Sequence, residues 1–193
     1  VGKLVSTVDN LGLTKRTVII FTGDNGSSYS GVLNGKPYPK GKGREATWGV
    51  HVPFIVRAPF LAKGGIASRD LIDFTDIYPT CLELAGIAPS EKLKLDGRSF
   101  VPSLRGSVDP FEKRSWIYSQ IGNFRMIRDW HHFVDNKGAF HDMNKDPLQQ
   151  QKISAQDKIA PGRLDRLQMI LERFPPNAPA PFPEFKTKHP NLN

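Results

Sequence analysis

The most constraining feature of the sequence is a short unbroken apolar run, Val18-Ile19-Ile20-Phe21, framed by Thr17 and Thr22 and stopped at once by Gly23-Asp24-Asn25-Gly26. A run without polar alternation suits a strand covered on both faces, as in a parallel sheet. In open α/β sheets, ligands bind beyond the carboxyl ends of the strands. That rule draws attention to Asp24 and Asn25. The run is also the longest apolar stretch in the chain, far short of the ~20 residues that cross a bilayer, so no membrane partner is expected.

The surrounding pattern is that of an α/β fold. Val1, Leu4, Val5, Val8 and Leu11 recur at helical spacing, and Gly12 follows as a closing residue. Val52-Pro53-Phe54-Ile55-Val56 reads as a second strand, with Pro53 near its start where a missing N–H is tolerable. A helix through Cys81, Leu82, Leu84 and Ala85 is expected, capped by Thr75 or Asp76 and closed by Gly86. Cys81 lies on its apolar side and is expected to be a packed core thiol. Residues 27–49 are polar and Gly-rich with no clear period, which predicts a long loop.

The second half reads differently. Residues 115–119, 124–130 and 132–135 are strand-like and aromatic, and Asn136-Lys137-Gly138 is a turn signal. Leu164, Leu167, Ile170, Leu171 and Phe174 mark one amphipathic helix. The expected organisation is an α/β domain over 1–110, a small antiparallel sheet plus helix over 111–174, and a Pro-rich tail over 175–193.

Two short motifs can carry chemistry. Asp24 and Asn25 offer hard oxygen donors, which suit Ca²⁺ or Mg²⁺ rather than Zn²⁺. Asp-Asn-Gly is equally common turn chemistry, and the pair alone does not decide between the two. Gly41-Lys42-Gly43 presents a lysine between glycines, able to reach an anion as a compact charge, or simply a flexible surface loop. The net charge of +8 favours anionic partners or solubility. Scattered basic residues without a stripe argue against nucleic acid. The single cysteine permits no internal disulfide.

In order, these motifs resemble the sulfatase family of the alkaline-phosphatase-like superfamily. Thr17-Val18-Ile19-Ile20-Phe21-Thr22-Gly23-Asp24-Asn25-Gly26 resembles its strand and metal-binding turn. Lys42-Gly43, then Gly49-Val50-His51-Val52-Pro53-Phe54-Ile55-Val56-Arg57-Ala58-Pro59, resembles its lysine loop and next strand. Leu71-Ile72-Asp73-Phe74-Thr75-Asp76-Ile77-Tyr78-Pro79-Thr80, Leu84-Ala85-Gly86, Leu95-Asp96-Gly97-Arg98-Ser99-Phe100-Val101-Pro102 and Phe140-His141-Asp142-Met143-Asn144-Lys145-Asp146-Pro147 follow in the family's order.

The resemblance implies an α/β fold: the C-terminal part of an alkaline-phosphatase-like α/β sandwich, then a small antiparallel sheet with a C-terminal helix. It implies that Asp24 and Asn25 ligate a divalent metal, Ca²⁺ before Mg²⁺, and that Lys42 is catalytic and contacts the sulfate. His51 would line the substrate pocket or orient the lysine loop; a structural histidine at the strand start is the other reading. The substrate would be a sulfated small molecule or sugar, and the compartment periplasmic or secreted. Glu45-Ala46-Thr47-Trp48 departs from the Glu-Gly-Gly often found there.

The family's nucleophile is a Cys or Ser, oxidised to formylglycine, in Cys/Ser-x-Pro-x-Arg. No such motif occurs among these residues. The family's first aspartate pair and the His and Lys that usually precede the Asp-Asn turn are also missing. The chain is therefore expected to be inactive alone and to self-associate or join an N-terminal partner segment. Two alternatives stand beside this reading. One is a phosphatase or phosphodiesterase of the same superfamily, against which Asn25 argues, since zinc members usually present His there. The other is a non-catalytic module that binds an anion or partner.

Overall fold

The computed structural model describes residues 1–149 and 162–174, so the expected Pro-rich tail lies outside the described residues. In chain order the elements are α1 (Gly2–Asn10), β1 (Ile19–Thr22), β2 (Gly31–Leu33), β3 (Lys36–Tyr38), α2 (Thr47–Val50), β4 (Phe54–Arg57), α3 (Ile77–Leu84), α4 (Val101–Leu104), β5 (Ile117–Ile121), β6 (Phe124–Arg128), β7 (His132–Asp135), β8 (Phe140–Asp142) and α5 (Arg163–Glu172). They form two compact units, Val1–Gly23 with Pro53–Ser115 and Asp24–Val52 with Trp116–Asn193. The expected division at residue 110 was sequential. Here residues 24–52 group with the later sheet instead.

In the first unit, β1 pairs with β4 from Ile19↔Arg57 to Thr22↔Phe54. The pairing is antiparallel, which corrects the expectation of a parallel strand. The expected cover on both faces is not seen either: the residues of β1 are half-buried, and Phe21 is exposed. α1 ends in a Schellman motif: Leu13 N donates to Val8 O and Gly12 N to Asp9 O, with Gly12 at φ +68°. α3 ends the same way at Gly86, φ +69°.

The helix entry is more elaborate than a single cap. Asp73 accepts from Thr75 N and Asp76 accepts from Asp73 N, a reciprocal capping box around a 3₁₀ turn. Asp76 is 1% exposed and also accepts from Arg98 N at 2.8 Å and from both Nε and Nη2 of Arg114. Buried Thr80 donates to Asp76 O and accepts from Phe100 N. A Cβ on Gly97 would lie 1.9 Å from Thr75 O, so only glycine fits beside this turn. The 73–80 and 95–100 motifs are thus two halves of one buried polar network. Cys81 is exposed, which overturns the expected core thiol. The buried side of α3 is set by Thr80, one residue earlier in the helix.

In the second unit, β5-β6-β7-β8 form an antiparallel meander. Successive residues of β6, Met126 and Ile127, point to opposite faces, and both are fully buried. One face is closed by α5, whose Leu167, Ile170 and Leu171 pack with Ile127, Val134 and Phe140. The other carries Met126, Phe133 and Met143, packed against Val50 of α2. Covering both faces of a short meander explains why it is stable at this size. It also fastens residues 24–52 to a rigid sheet. Within 27–49, where a loop without period was expected, β2 and β3 form a hairpin. Its two-residue turn is Asn34-Gly35, with φ of 51° and 74°, as a type I′ turn requires.

Candidate metal and anion site

Asp24 and Asn25 are exposed, and Asn25 N donates to Asp24 Oδ1 at 2.9 Å. The next two residues tie this turn to the lysine loop. Gly26 N donates to Gly49 O at 2.8 Å, and Ser27 O accepts from both Gly41 N (2.9 Å) and Lys42 N (3.0 Å). The approach is possible only because three glycines meet there. A Cβ on Gly26 would lie 2.0 Å from Trp48 O, one on Gly41 1.7 Å from the same atom, and one on Gly49 1.9 Å from Arg44 O. Those contacts are with backbone, which cannot swing aside. The junction therefore holds the backbone of the Asp24-Asn25 turn against that of the Gly41-Lys42 segment. The Lys42 side chain is exposed.

His51 closes α2, its N–H donating to Thr47 O at 2.8 Å. The residue is exposed overall, but protein crowds the ring. That crowding, aided by the Arg128 charge, holds the imidazole pKa below its usual 6.5, so the ring is neutral at pH 7. His51 also lines a cleft of about 360 Å³ formed with the β2–β3 hairpin.

Glu45 and Thr47 lie in the stretch whose Thr47 and Trp48 depart from the Glu-Gly-Gly pattern. Both are 7% exposed, and Glu45 Oε2 and Thr47 Oγ1 have no hydrogen-bond partner. Burial pushes the Glu45 carboxyl above its ordinary 4.5, partly offset by a hydrogen bond from Ser119. The folded state then holds a proton that the unfolded state releases above pH 4.5. This term makes stability fall as pH rises from there. Glu45→Gln is accordingly expected to raise Tm relative to the parent at pH 7 and to leave it nearly unchanged near pH 4. Equal Tm differences at both pH values would contradict a buried, proton-holding carboxyl.

The donor chemistry of Asp24 and Asn25 fits a hard oxygen-loving cation. The two residues supply only part of the six to eight oxygens Ca²⁺ takes. Among the described residues, no group of three or more His, Cys, Asp and Glu side chains converges to hold a metal.

Comparison with known proteins is consistent across sequence and structure. A family profile described as Sulfatase matches residues 1–87. The chain is 35% identical over 137 residues to an ulvan-active sulfatase of Formosa agariphila, covering 66% of this chain and 24% of that protein. It is 29% identical over 140 residues to the steryl-sulfatase of Mus musculus, covering 68% and 22% respectively. It thus spans about a quarter of the length of these relatives. Among solved structures, BT4656 in complex with its substrate D-glucosamine-2-N,6-O-disulfate superposes with a TM-score of 0.72 at 22% identity, covering 89% of this chain and 36% of that one. The PsFucS1 sulfatase from Pseudoalteromonas sp. also gives 0.72, at 20% identity, covering 89% and 39%. These two likenesses show the fold.

Proposed function

The chain belongs to the sulfatase family, and we propose that it supplies one wall of a site that hydrolyses sulfate monoesters, within a longer protein of which it is the C-terminal portion. The observation that carries this reading is the three-glycine junction, which brings a hard-donor turn and an exposed lysine loop together. Asp24 and Asn25 would hold the divalent cation, Ca²⁺ before Mg²⁺. When bound, it would supply Lewis acidity and a template for the nucleophile. Lys42 would place its ammonium against the sulfate and stabilise charge developing on the leaving oxygen. Fixed charge aimed at a transition state is the largest single term in many enzymes. His51, neutral at pH 7, would hydrogen-bond a substrate hydroxyl without repelling Lys42. The substrate class is a sulfated sugar, in keeping with the ulvan-active relative.

No Cys/Ser-x-Pro-x-Arg segment occurs in these residues. The formylglycine nucleophile would therefore come from elsewhere in the longer protein. Alone, the chain is expected to release no sulfate and to bind Ca²⁺ weaker than micromolar by calorimetry. Sub-micromolar binding would contradict the half-site reading.

Covering segments are also expected. β1 and β4 form an isolated two-stranded ribbon, and paired residues Phe21 and Ile55 are 46% and 60% exposed. Such ribbons are marginal unless covered. Light scattering of the isolated chain should show self-association that rises with concentration. A monomer at all concentrations would argue against an uncovered face.

A further inference from the structure

The buried carboxyl of Glu45 has no part in the chemistry assigned to Lys42 and the Asp24-Asn25 turn, yet it sits in the same loop as Lys42. Residues 41–49 form a loop closed at its base: a Cβ on Gly26 would lie 3.0 Å from the Cα atoms of both Gly41 and Gly49. Lys42, Gly43 and Arg44 are its exposed tip, and Glu45, Ala46 and Thr47 are buried directly after it. Arg44 N donates to Gly41 O at 3.0 Å, and Gly49 N to Ala46 O at 2.8 Å. Backbone contacts thus hold the base, while the middle is seated through the Glu45 side chain. That side chain is 7% exposed, and its Oε2 is sealed from solvent without a hydrogen-bond partner. Such a place tolerates a neutral carboxyl far better than a carboxylate. Among the described residues no cation pairs with it. The charged and titratable groups about it are Tyr118 on β5 and, on its own loop, the exposed Lys42 and Arg44. On β6, Arg125 gives Nη1 to Leu171 O and Phe174 O, and Arg128 acts on His51 instead.

We propose that Glu45 is a positioning residue for Lys42, an assignment that rests on the sulfate-ester reading above. Uncharged, its carboxyl seats the lysine loop against β5. Ionised, it lifts the loop and carries Lys42 away from the sulfate. The burial that pushes this carboxyl above its ordinary 4.5 is the other side of the same linkage. The seated loop holds the proton and the lifted loop releases it. Seating is therefore complete at low pH and is lost as pH rises through the value the carboxyl has in the seated loop. The site then carries an upper pH limit set by a residue that touches neither metal nor substrate.

The test measures kcat and KM of the full-length protein for 4-nitrophenyl sulfate from pH 4.5 upward. The parent's kcat should fall as pH rises, and Glu45→Gln, neutral at every pH, should hold its rate to higher pH. Glu45→Ala removes the anchor and should lower kcat about tenfold to a hundredfold at every pH, the scale on which a small misplacement acts. KM should stay within about twofold, because Lys42 acts on charge that develops in the transition state. On a Lys42→Ala background Glu45→Ala should cost nothing further, since no ammonium is left to misplace. A residue that only stabilised the fold would cost the same in both backgrounds. Equal losses in the two backgrounds, or a Glu45→Gln profile that superposes on the parent's, would overturn the proposal. Should Glu45→Ala fail to fold, the comparison with Glu45→Gln decides alone. If the unmodified protein releases no sulfate at any pH, the proposed function fails separately. The seating is then read by amide hydrogen exchange at Arg44, Gly49 and His51, corrected for the intrinsic rate. Protection that falls with pH in the parent and holds in Glu45→Gln would uphold it. The same protection in both would overturn it.

Discussion

Replacing Lys42 by Ala in the full-length protein is expected to lower kcat for a sulfate ester about 10²–10³-fold, the cost of removing one preorganised charge-stabilising donor. KM should change far less, because the interaction strengthens as negative charge develops on the leaving oxygen. The structure makes this a clean substitution. Lys42 is fixed through its backbone N–H to Ser27 O, and its exposed side chain takes no part in the glycine junction. Tm should therefore hold. Lys42→Arg should recover only part of the rate, since a planar fork does not replace a compact ammonium. A loss of activity accompanied by a matching loss of Tm would mean that Lys42 supports the loop rather than the chemistry.

The second large effect concerns stability. Asp76 gathers four donors, from Asp73 N, Arg98 N and two nitrogens of Arg114, while 1% exposed. Asp76→Ala removes the charge that balances a largely buried guanidinium. Breaking a buried pair in this way costs about 3–5 kcal/mol. Urea denaturation should show a large fall in midpoint, or loss of the first unit's transition altogether. The exposed pair Arg105–Glu83, 3.7 Å apart, is the internal control. Arg105→Ala should shift stability by no more than about 1 kcal/mol. Similar shifts for the two substitutions would contradict the network's central place.

The sequence was most informative where structure is set by near neighbours. The apolar run at 18–21, the helix ends at Gly12 and Gly86, and the meander with its amphipathic helix were all legible from periodicity and caps. The Asn34-Gly35 turn was a local signal too, but its flanking strands are three residues each, too short to show alternation. Strand direction and the exposure of Cys81 depend on partners far along the chain, and neither could be read from one segment. The glycine junction is the plainest case. Gly26, Gly41 and Gly49 look like ordinary loop glycines, and only the approach of Trp48 O and Arg44 O reveals why no side chain fits. At the candidate site, the residue types were visible in Asp24, Asn25, Lys42 and His51. What holds them, and the buried Glu45 and Thr47 beside them, required three dimensions.

The most direct measurement is the initial rate of the full-length protein on matched sulfate and phosphate monoesters of one leaving group, with and without Asp24→Ala. Sulfate release, fast relative to phosphate release and abolished by Asp24→Ala, is the predicted result. Preferential phosphate release, or sulfate release indifferent to Asp24, would contradict a sulfatase site built on this turn.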